Sequence, residues 1–375
     1  MGGDLNIASV EFWPIKIPLA RPYHLSAVLG TLTHSQAVIV RVTLENGVTG
    51  WGECDPHAEF DGYTLEKAGQ AIAERTPEMV GRSVADWVEK SDGRRFHGTP
   101  AAAIDVACYD ALGKAKGVPV WRLLGERVHE SVDVLWPTSS GSSGEDLEII
   151  AERHPQGFRT YMLKMGSRPI EDEITRTHEV MRGIPDDVLI MVDANQGWNR
   201  AQASTYVEGC DGLPIVLVEQ PLLAEDLEGL AALKQKTRLP ISVDEALLTP
   251  SMAEKIIARN AADVFSIKVS KHGGLANSVL IADAVKKAGK KVLMNSMIEL
   301  GITQAASLHL GVTLPHLMPC GHAYMSTLRM ADDITDFSDW VVDGRVAVPD
   351  HPGLGIEVNM DKIKQYQAGE EAHVV

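Results

Sequence analysis

Three short apolar runs each end in a carboxylate, at nearly equal intervals: Val188-Leu-Ile-Met-Val-Asp193, Val216-Leu-Val-Glu219 and Ile241-Ser-Val-Asp244. The gaps of 26 and 25 residues each match the length of a strand–helix unit. Consecutive parallel strands of this kind bring their C-terminal ends to one rim, so the carboxylates converge there. Three oxygen ligands on a rigid rim suit a hard cation such as Mg²⁺, with Mn²⁺ as a possible substitute. The competing explanation, that each acid caps the following helix, accounts for any one of them but poorly for three in register. Lys164, 29 residues before Asp193, and Lys268, 24 after Asp244, continue the rhythm.

The same periodicity predicts the architecture. Candidate strands end near Trp136, Lys164, Asp193, Glu219, Asp244, Lys268, Asn295 and Cys320. Eight such units predict an α/β fold, a (β/α)8 TIM-like barrel or its modified (β/α)7β form, with its site at the C-terminal strand ends. Ahead of it, residues 7–17 and 35–44 read as strands, and Asn46-Gly47 as a hairpin turn, in an α+β capping domain. The polar segment 20–33 reads as a long connection that orders over a substrate. Residues 63–80 and 84–90 read as helices. So do residues 99–117, with Thr99 as cap, Pro100 in the first turn and Gly117 as the stop. After Ala323 the alternation ceases; residues 340–348 read as a hairpin around Asp343-Gly344. The expected domains are 1–128 (cap), 129–325 (barrel) and 326–375, a segment returning to the cap.

The formal charge is −16, from 35 basic and 51 acidic residues. That argues against nucleic acid as a partner, although a bound cation can reverse the local field and admit an anionic substrate. Cys54, Cys108, Cys210 and Cys320 lie far apart and form no disulfide framework, so free thiols in a reducing compartment are expected. No signal peptide and no apolar stretch of membrane-spanning length is read. The expectation is a cytoplasmic protein with no membrane partner.

The residue types suggest a reaction. A cation and a second lysine nearby both lower a lysine pKa, the usual route to a lysine base. A metal beside a carboxylate stabilises the enediolate formed when the neighbouring α-proton leaves. Strands 2 and 6 of a barrel face each other, so Lys164 and Lys268 would flank the substrate. Asn195 and Glu245 stand beside two of the acids as candidate supports.

On these residues the chain resembles the enolase superfamily, muconate-lactonizing-enzyme subgroup. The resemblance covers almost the whole chain. It is carried by Thr49-Gly-Trp-Gly-Glu53, Val192-Asp-Ala-Asn195, Val218-Glu-Gln-Pro221, Val243-Asp-Glu245, Ile267-Lys-Val-Ser-Lys-His-Gly-Gly274 and Pro352-Gly-Leu-Gly-Ile356. It implies that Asp193, Glu219 and Asp244 hold Mg²⁺, that Lys164 and Lys268 are the acid/base pair, and that the protein is a homo-oligomer, dimer or octamer. One departure stands out. The subgroup has Lys-x-Lys at the end of strand 2, where this chain has Met162-Leu-Lys164. A substrate carrying its own positive charge would make up for the missing lysine, which suggests a betaine or another N-substituted amino acid. Tyr23, Trp51, Trp136 and Tyr324 are the candidates for an aromatic cage around it. His24, His57 and His322 are further candidate contacts, and Glu299 either bonds the substrate, orients Lys268 or is structural.

Racemase or epimerase is the favoured expectation. A muconate-type cycloisomerase is the alternative, suggested by Met294-Asn-Ser-Met-Ile-Glu299. A β-eliminating dehydratase or an OSB-synthase-like lyase follows, and a metal-dependent metabolite-binding barrel is the non-enzyme alternative. The strand-8 sequence Cys320-Gly-His-Ala-Tyr324 lacks the Asp-x-Asp of dipeptide epimerases.

Overall fold

The computed structural model describes residues 5–26, 30–58, 62–89, 98–139, 141–369 and 372–374. The chain begins with an antiparallel sheet of β1 (Ile7–His24), β2 (Thr31–Leu44) and β3 (Thr49–Cys54). Strand alternation divides its side chains between two cores. Val10, Phe12, Val38, Val40 and Val42 pack with α1 (Leu65–Arg75), α2 (Val84–Glu89) and α3 (Thr99–Lys116); Trp13, Ile15, Ile17 and Ile39 join the barrel's core.

β3 lies directly on α3. A Cβ at Gly52 would sit 1.8 Å from the Ala103 carbonyl oxygen, and one at Gly50 2.2 Å from that of Ala107. The glycines and the alanine-rich helix are therefore the two halves of one close backbone contact. The expected cap of α3 is corrected by one residue. Gly98, at φ 79°, takes the capping position, and Thr99 begins the helix with its hydroxyl making no cap bond. Gly117 ends it in the left-handed conformation, as expected.

The expected long connection at 20–33 is also corrected. β1 runs to His24 and β2 starts at Thr31, with Tyr23 opposite Leu32 and His24 opposite Thr31. The ladder resumes after an irregularity between Pro18 and Tyr23, the kind of break that accommodates Pro22 in a strand. Residues 27–29 of the expected lid lie outside the described residues.

After the short helix α4 (Trp121–Leu124) and β4 (Val132–Asp133), strand–helix alternation begins. Seven parallel strands follow in consecutive order: β5 (Leu135–Pro137), β6 (Thr160–Lys164), β7 (Leu189–Asp193), β8 (Ile215–Glu219), β9 (Ile241–Val243), β10 (Val264–Ile267) and β11 (Lys291–Met294). Between and after them run α5 (Ser143–Arg153), α6 (Ile170–Gly183), α7 (Arg200–Gly209), α8 (Leu227–Lys236), α9 (Pro250–Ala258), α10 (Leu275–Lys287) and α11 (Gly301–Gly311). The eighth station, expected as a strand ending near Cys320, is an irregular segment. It makes single bridges from Leu317 to Val292 and from His322 to Val134. Pro315 and Pro319 remove two ladder donors there. Backbone bonds from Met318, His322 and Ala323 still close the ring.

In the tail, β12 (Val341–Val342) and β13 (Arg345–Val346) form the expected hairpin, with Asp343 and Gly344 at positive φ, and it pairs with β4. α12 (Met360–Gln365) and β14 (Ala372–Val374) follow, and β14 pairs with β1. Among the described residues no helix is long and apolar enough to cross a membrane.

Candidate active site

Strand register sets the site. Lys164 is paired with Asp193, Asp193 with Glu219, and Glu219 with Ser242, so one row crosses β6 to β9. Asp244 lies two residues beyond Ser242, on the same face, and Lys268 follows the end of β10. Asp193, Glu219 and Asp244 are fully buried; Lys164 and Lys268 are nearly so.

Each carboxylate is held. Lys164 Nζ donates to Asp193 Oδ2, and the Asn195 backbone N–H donates to Asp193 Oδ1 at 2.8 Å. Glu219 accepts from Ser266 Oγ at 2.6 Å and from Asn295 Nδ2 at 2.8 Å. Asp244 is flanked by Lys268 Nζ at 2.6 Å and by Lys271 Nζ, which also donates to the Asp244 carbonyl at 2.6 Å. Asn195 Nδ2 reaches Glu245 at 3.2 Å. The Gln220 side chain accepts from the Asp244 and Ala246 N–H groups, which fixes the turn after β9.

The charges are coupled. Burial, and then the charges of Asp193 and Asp244, push Glu219 up to about 8. Burial, with Asp244 and Asp193, does the same for Glu245, also to about 8. Burial opposes the charge on Asp244 too, but Lys268 and Lys271 hold it well below the carboxylate range. Burial likewise works against the ammoniums of Lys164 and Lys268. Asp193 at Lys164, and Asp244 with Glu245 at Lys268, more than offset it, and both lysine pKa values are raised. The depression expected from the sequence is that produced by a cation beside each lysine; the protein's own side chains place a carboxylate there.

The donor set suits a divalent cation. Four buried carboxylates (Asp193, Glu219, Asp244 and Glu245) face three ammoniums (Lys164, Lys268 and Lys271), so positive charge falls short. Asn195 Oδ1 and Glu245 Oε2 are buried with no hydrogen-bond partner, and oxygen donors of this kind are hard-cation ligands. In the arrangement seen here, the lysines draw Asp193 and Asp244 toward themselves. Among the described residues no three acidic, histidine or cysteine side chains converge closely enough to form a ready cage.

Above the row lies a narrow cavity of about 40 Å³ that Lys164, Asn195, Lys268 and Asn295 share with Tyr23, His57, Met162 and Arg329. A substrate larger than a few waters must widen it. A cavity of about 580 Å³ lies elsewhere, against α2, α3 and the start of α10; among the described residues it is lined by no lysine and shares no residue with the first.

Several nominated residues do not line the rim cavity. His24 is exposed and hydrogen-bonded to Thr31. Trp136 points into the helix layer, edge-on to Phe158 and under the Arg153 guanidinium, because its neighbours Leu135 and Pro137 take the inward face. His322 is a buried neutral histidine, its Nδ1 accepting from the Met294 N–H, and burial lowers its pKa to about 4. Tyr324 donates to the Ser307 carbonyl. Trp51 packs against Trp13 and Arg41. Glu299 accepts from Ser296, Gln304 and the Met297 N–H, and so braces its own loop.

Sequence reasoning passed over three participants. Lys271 had a signal, standing three residues after Lys268 within the motif spanning 267–274. Ile298 lines the cavity at φ 67°, a strained conformation for a β-branched residue, held by Ser35 and Ser296. Arg329 lies beyond the point where periodicity stops and carries no local signal.

Fold and site together define a capped α/β-barrel enzyme. Residues 8–125 match the mandelate racemase/muconate lactonizing enzyme N-terminal domain, and residues 146–362 the family described as enolase C-terminal domain-like. The chain belongs to the enolase superfamily, in its muconate-lactonizing-enzyme subgroup. It is 32% identical to muconate cycloisomerase 1 of Rhodococcus opacus, over 97% of this chain and 99% of that one. It is 30% identical to the L-Ala-D/L-Glu epimerase of Bacillus subtilis, over 94% and 97%. The crystal structure of N-succinyl Arg/Lys racemase from Bacillus cereus superposes with a TM-score of 0.92 at 28% identity, covering 99% of this chain and 100% of that one.

Proposed function

We propose that the chain is a racemase or epimerase that moves the α-proton of a small carboxylate substrate, an N-substituted amino acid. The observation that carries this reading is the placement of Lys164 and Lys268 at one cavity, from strands 2 and 6 of the barrel, above three buried carboxylates. With an amine on each side of the α-carbon, a proton can leave one face and return to the other. Asp193, Glu219 and Asp244 would hold Mg²⁺, or Mn²⁺ in its place. When bound, the cation supplies positive charge to the substrate carboxylate as the α-proton leaves, and offsets the negative charge that raises both lysine pKa values. Ser266 and Asn295 orient Glu219; Asn195 orients Asp193 and Glu245.

The kinship with an N-succinyl amino-acid racemase supports an N-acyl amino acid over a betaine. Of the four aromatics nominated for a cage, only Tyr23 reaches the cavity, and the Arg329 guanidinium covers its ring. Cycloisomerisation is the second reading, favoured by the 32% identity to a muconate cycloisomerase.

Exchange of the α-proton with D₂O, in the presence of Mg²⁺, tests the proposal on each stereoisomer of a panel of N-acyl amino acids. Lys164→Ala and Lys268→Ala should each lose exchange from one stereoisomer and keep it from the other. Loss of both exchanges in a single variant that still binds metal would overturn the two-base reading. Turnover of muconate without any exchange on the panel would establish the second.

A further inference from the structure

We propose that Arg329 is a specificity residue that binds a second anionic group of the substrate, a carboxylate remote from the reacting carbon. The inference rests on the carboxylate chemistry proposed above and narrows its substrate to one with two acidic groups.

Arg329 ends the short turn Thr327–Arg329, just past the irregular eighth station, and its side chain lines the same cavity as Lys164 and Lys268. The guanidinium carbon lies 3.6 Å from the centroid of the Tyr23 ring. That stacking fixes the plane of the fork and leaves its edge to hydrogen-bond. Nη1 is buried, yet it has no acceptor among the described residues, and no carboxylate of theirs pairs with this arginine. A buried cationic donor without an acceptor is costly, and arginines in such positions are ordinarily matched.

The surroundings say what would match it. The cavity wall it shares with Leu25, Leu32, Met162, Met297 and Met325 is apolar there, and among the described lining residues none is an anion. Asp193, Glu219 and Asp244 stand at or just past the ends of β7, β8 and β9, and the buried Glu299, next to Ile298, is already engaged by Ser296, Gln304 and the Met297 N–H. The cavity is thus polarised. A substrate with one carboxylate over the acidic row and another against Arg329 satisfies both ends and presents its α-carbon to the lysines between them. A planar carboxylate fits the guanidinium fork in a two-point contact that a neutral or cationic group cannot make.

The alternative is that Arg329 only staples the tail to Tyr23, beside the Leu19–Met330 bridge. Ligand pairs that differ in a single charge separate the two roles. N-succinyl amino acids are compared with their N-butanoyl counterparts by calorimetric titration of the Mg²⁺-loaded protein and by α-proton exchange, and muconate with its monomethyl ester by titration alone. The expected wild-type preference for the diacid is roughly 10–100-fold in affinity. Arg329→Met should bring the ratio close to one, and Arg329→Lys should leave an intermediate ratio, since it keeps the charge and loses the fork. A wild-type ratio near one in both pairs overturns the proposal without any variant having to fold. So does an unchanged ratio in a folded Arg329→Met protein. If the ratio responds to Arg329 but no ligand exchanges its proton, the anion site stands and the racemase reading falls. If protons exchange and the ratio is indifferent to Arg329, the racemase reading stands and the anion site falls.

Discussion

The two walls of the rim cavity are built on different principles. The wall from β6 to β10 is ionic: Lys164, Asp193, Glu219, Asp244 and Lys268 stand on or just past successive strand ends, each locked to a neighbour. The wall from the end of β11 through the eighth station to β5 is largely apolar, with Met297, Ile298, Met325, Leu135 and Pro137, and among the described residues Arg329 is its one lysine or arginine. Barrel geometry positions the first, whereas the second is completed, beside β5, by loop turns and the tail. On the proposed reading, proton movement sits on rigid elements, and the residues proposed to select a substrate sit where the chain can vary without disturbing the row.

The largest effect should come from the ionic wall. Lys164→Ala and Lys268→Ala each remove a proposed proton carrier, and exchange at the affected stereoisomer should fall by about 10²–10⁴-fold, read by NMR in D₂O. An equal loss from a substitution on the apolar wall, such as Met325→Ala, would break the contrast between the walls.

One step back from the proposed metal ligands, Ser266→Ala removes a 2.6 Å hydrogen bond to Glu219 while keeping every carboxylate. The Mg²⁺ concentration for half-maximal exchange in metal-stripped protein should rise by roughly 10–100-fold. No change would mean that Asn295 and Ser242 suffice to orient Glu219.

Much of this division was legible in the sequence, and the reason is periodicity. A strand that ends in Asp193, Glu219 or Lys164 repeats at fixed spacing, so register followed from counting. The eighth station was misjudged because an apolar segment with two prolines resembles a strand until its missing donors are counted. The length of β1 and β2 was hidden by Pro22 and by polar residues that a ladder tolerates on its exposed side. The aromatic cage was unreadable for a different reason. Alternation fixes which face Trp136 takes only once the strand's register is known. Arg329 meets Tyr23 across more than 300 residues, a distance no local pattern spans.

The region behind the apolar wall is neutral where the ionic wall is charged, and pH distinguishes them. His322 and His309 are buried, and burial lowers both to about 4, from an ordinary value of 6.5. Each Nδ1 accepts from a backbone N–H, of Met294 and of Trp121, so protonation breaks a bond. Above pH 6.5 both states are neutral and no penalty exists. As pH falls from 6.5 toward 4 the unfolded chain takes up protons that the folded one refuses. Stability should drop by on the order of 3 kcal/mol per histidine and then level off. Urea melts across that window, compared between the wild type and His309→Gln, check it: the variant should lose one histidine's share of the slope.

The smallest expected effect tests whether the tail's two tasks are separable. Beyond Arg329 the tail carries α12, whose first turn is capped by Asn359 Oδ1, accepting from the Asp361 and Lys362 N–H groups. Asn359→Ala should cost about 1 kcal/mol in urea unfolding, the usual value of such a cap. Lys362 of the same helix ties it to Asp332, three residues past Arg329, so the helix is joined to the apolar wall by a short path. If the wall is held by its own contacts, with Arg329 on Tyr23 and Ala331 bonded to Pro18, the diacid preference should survive the loss of the cap unaltered. A preference that fell along with stability would mean that Arg329 is set by the docking of the whole tail, and that the apolar wall extends to α12.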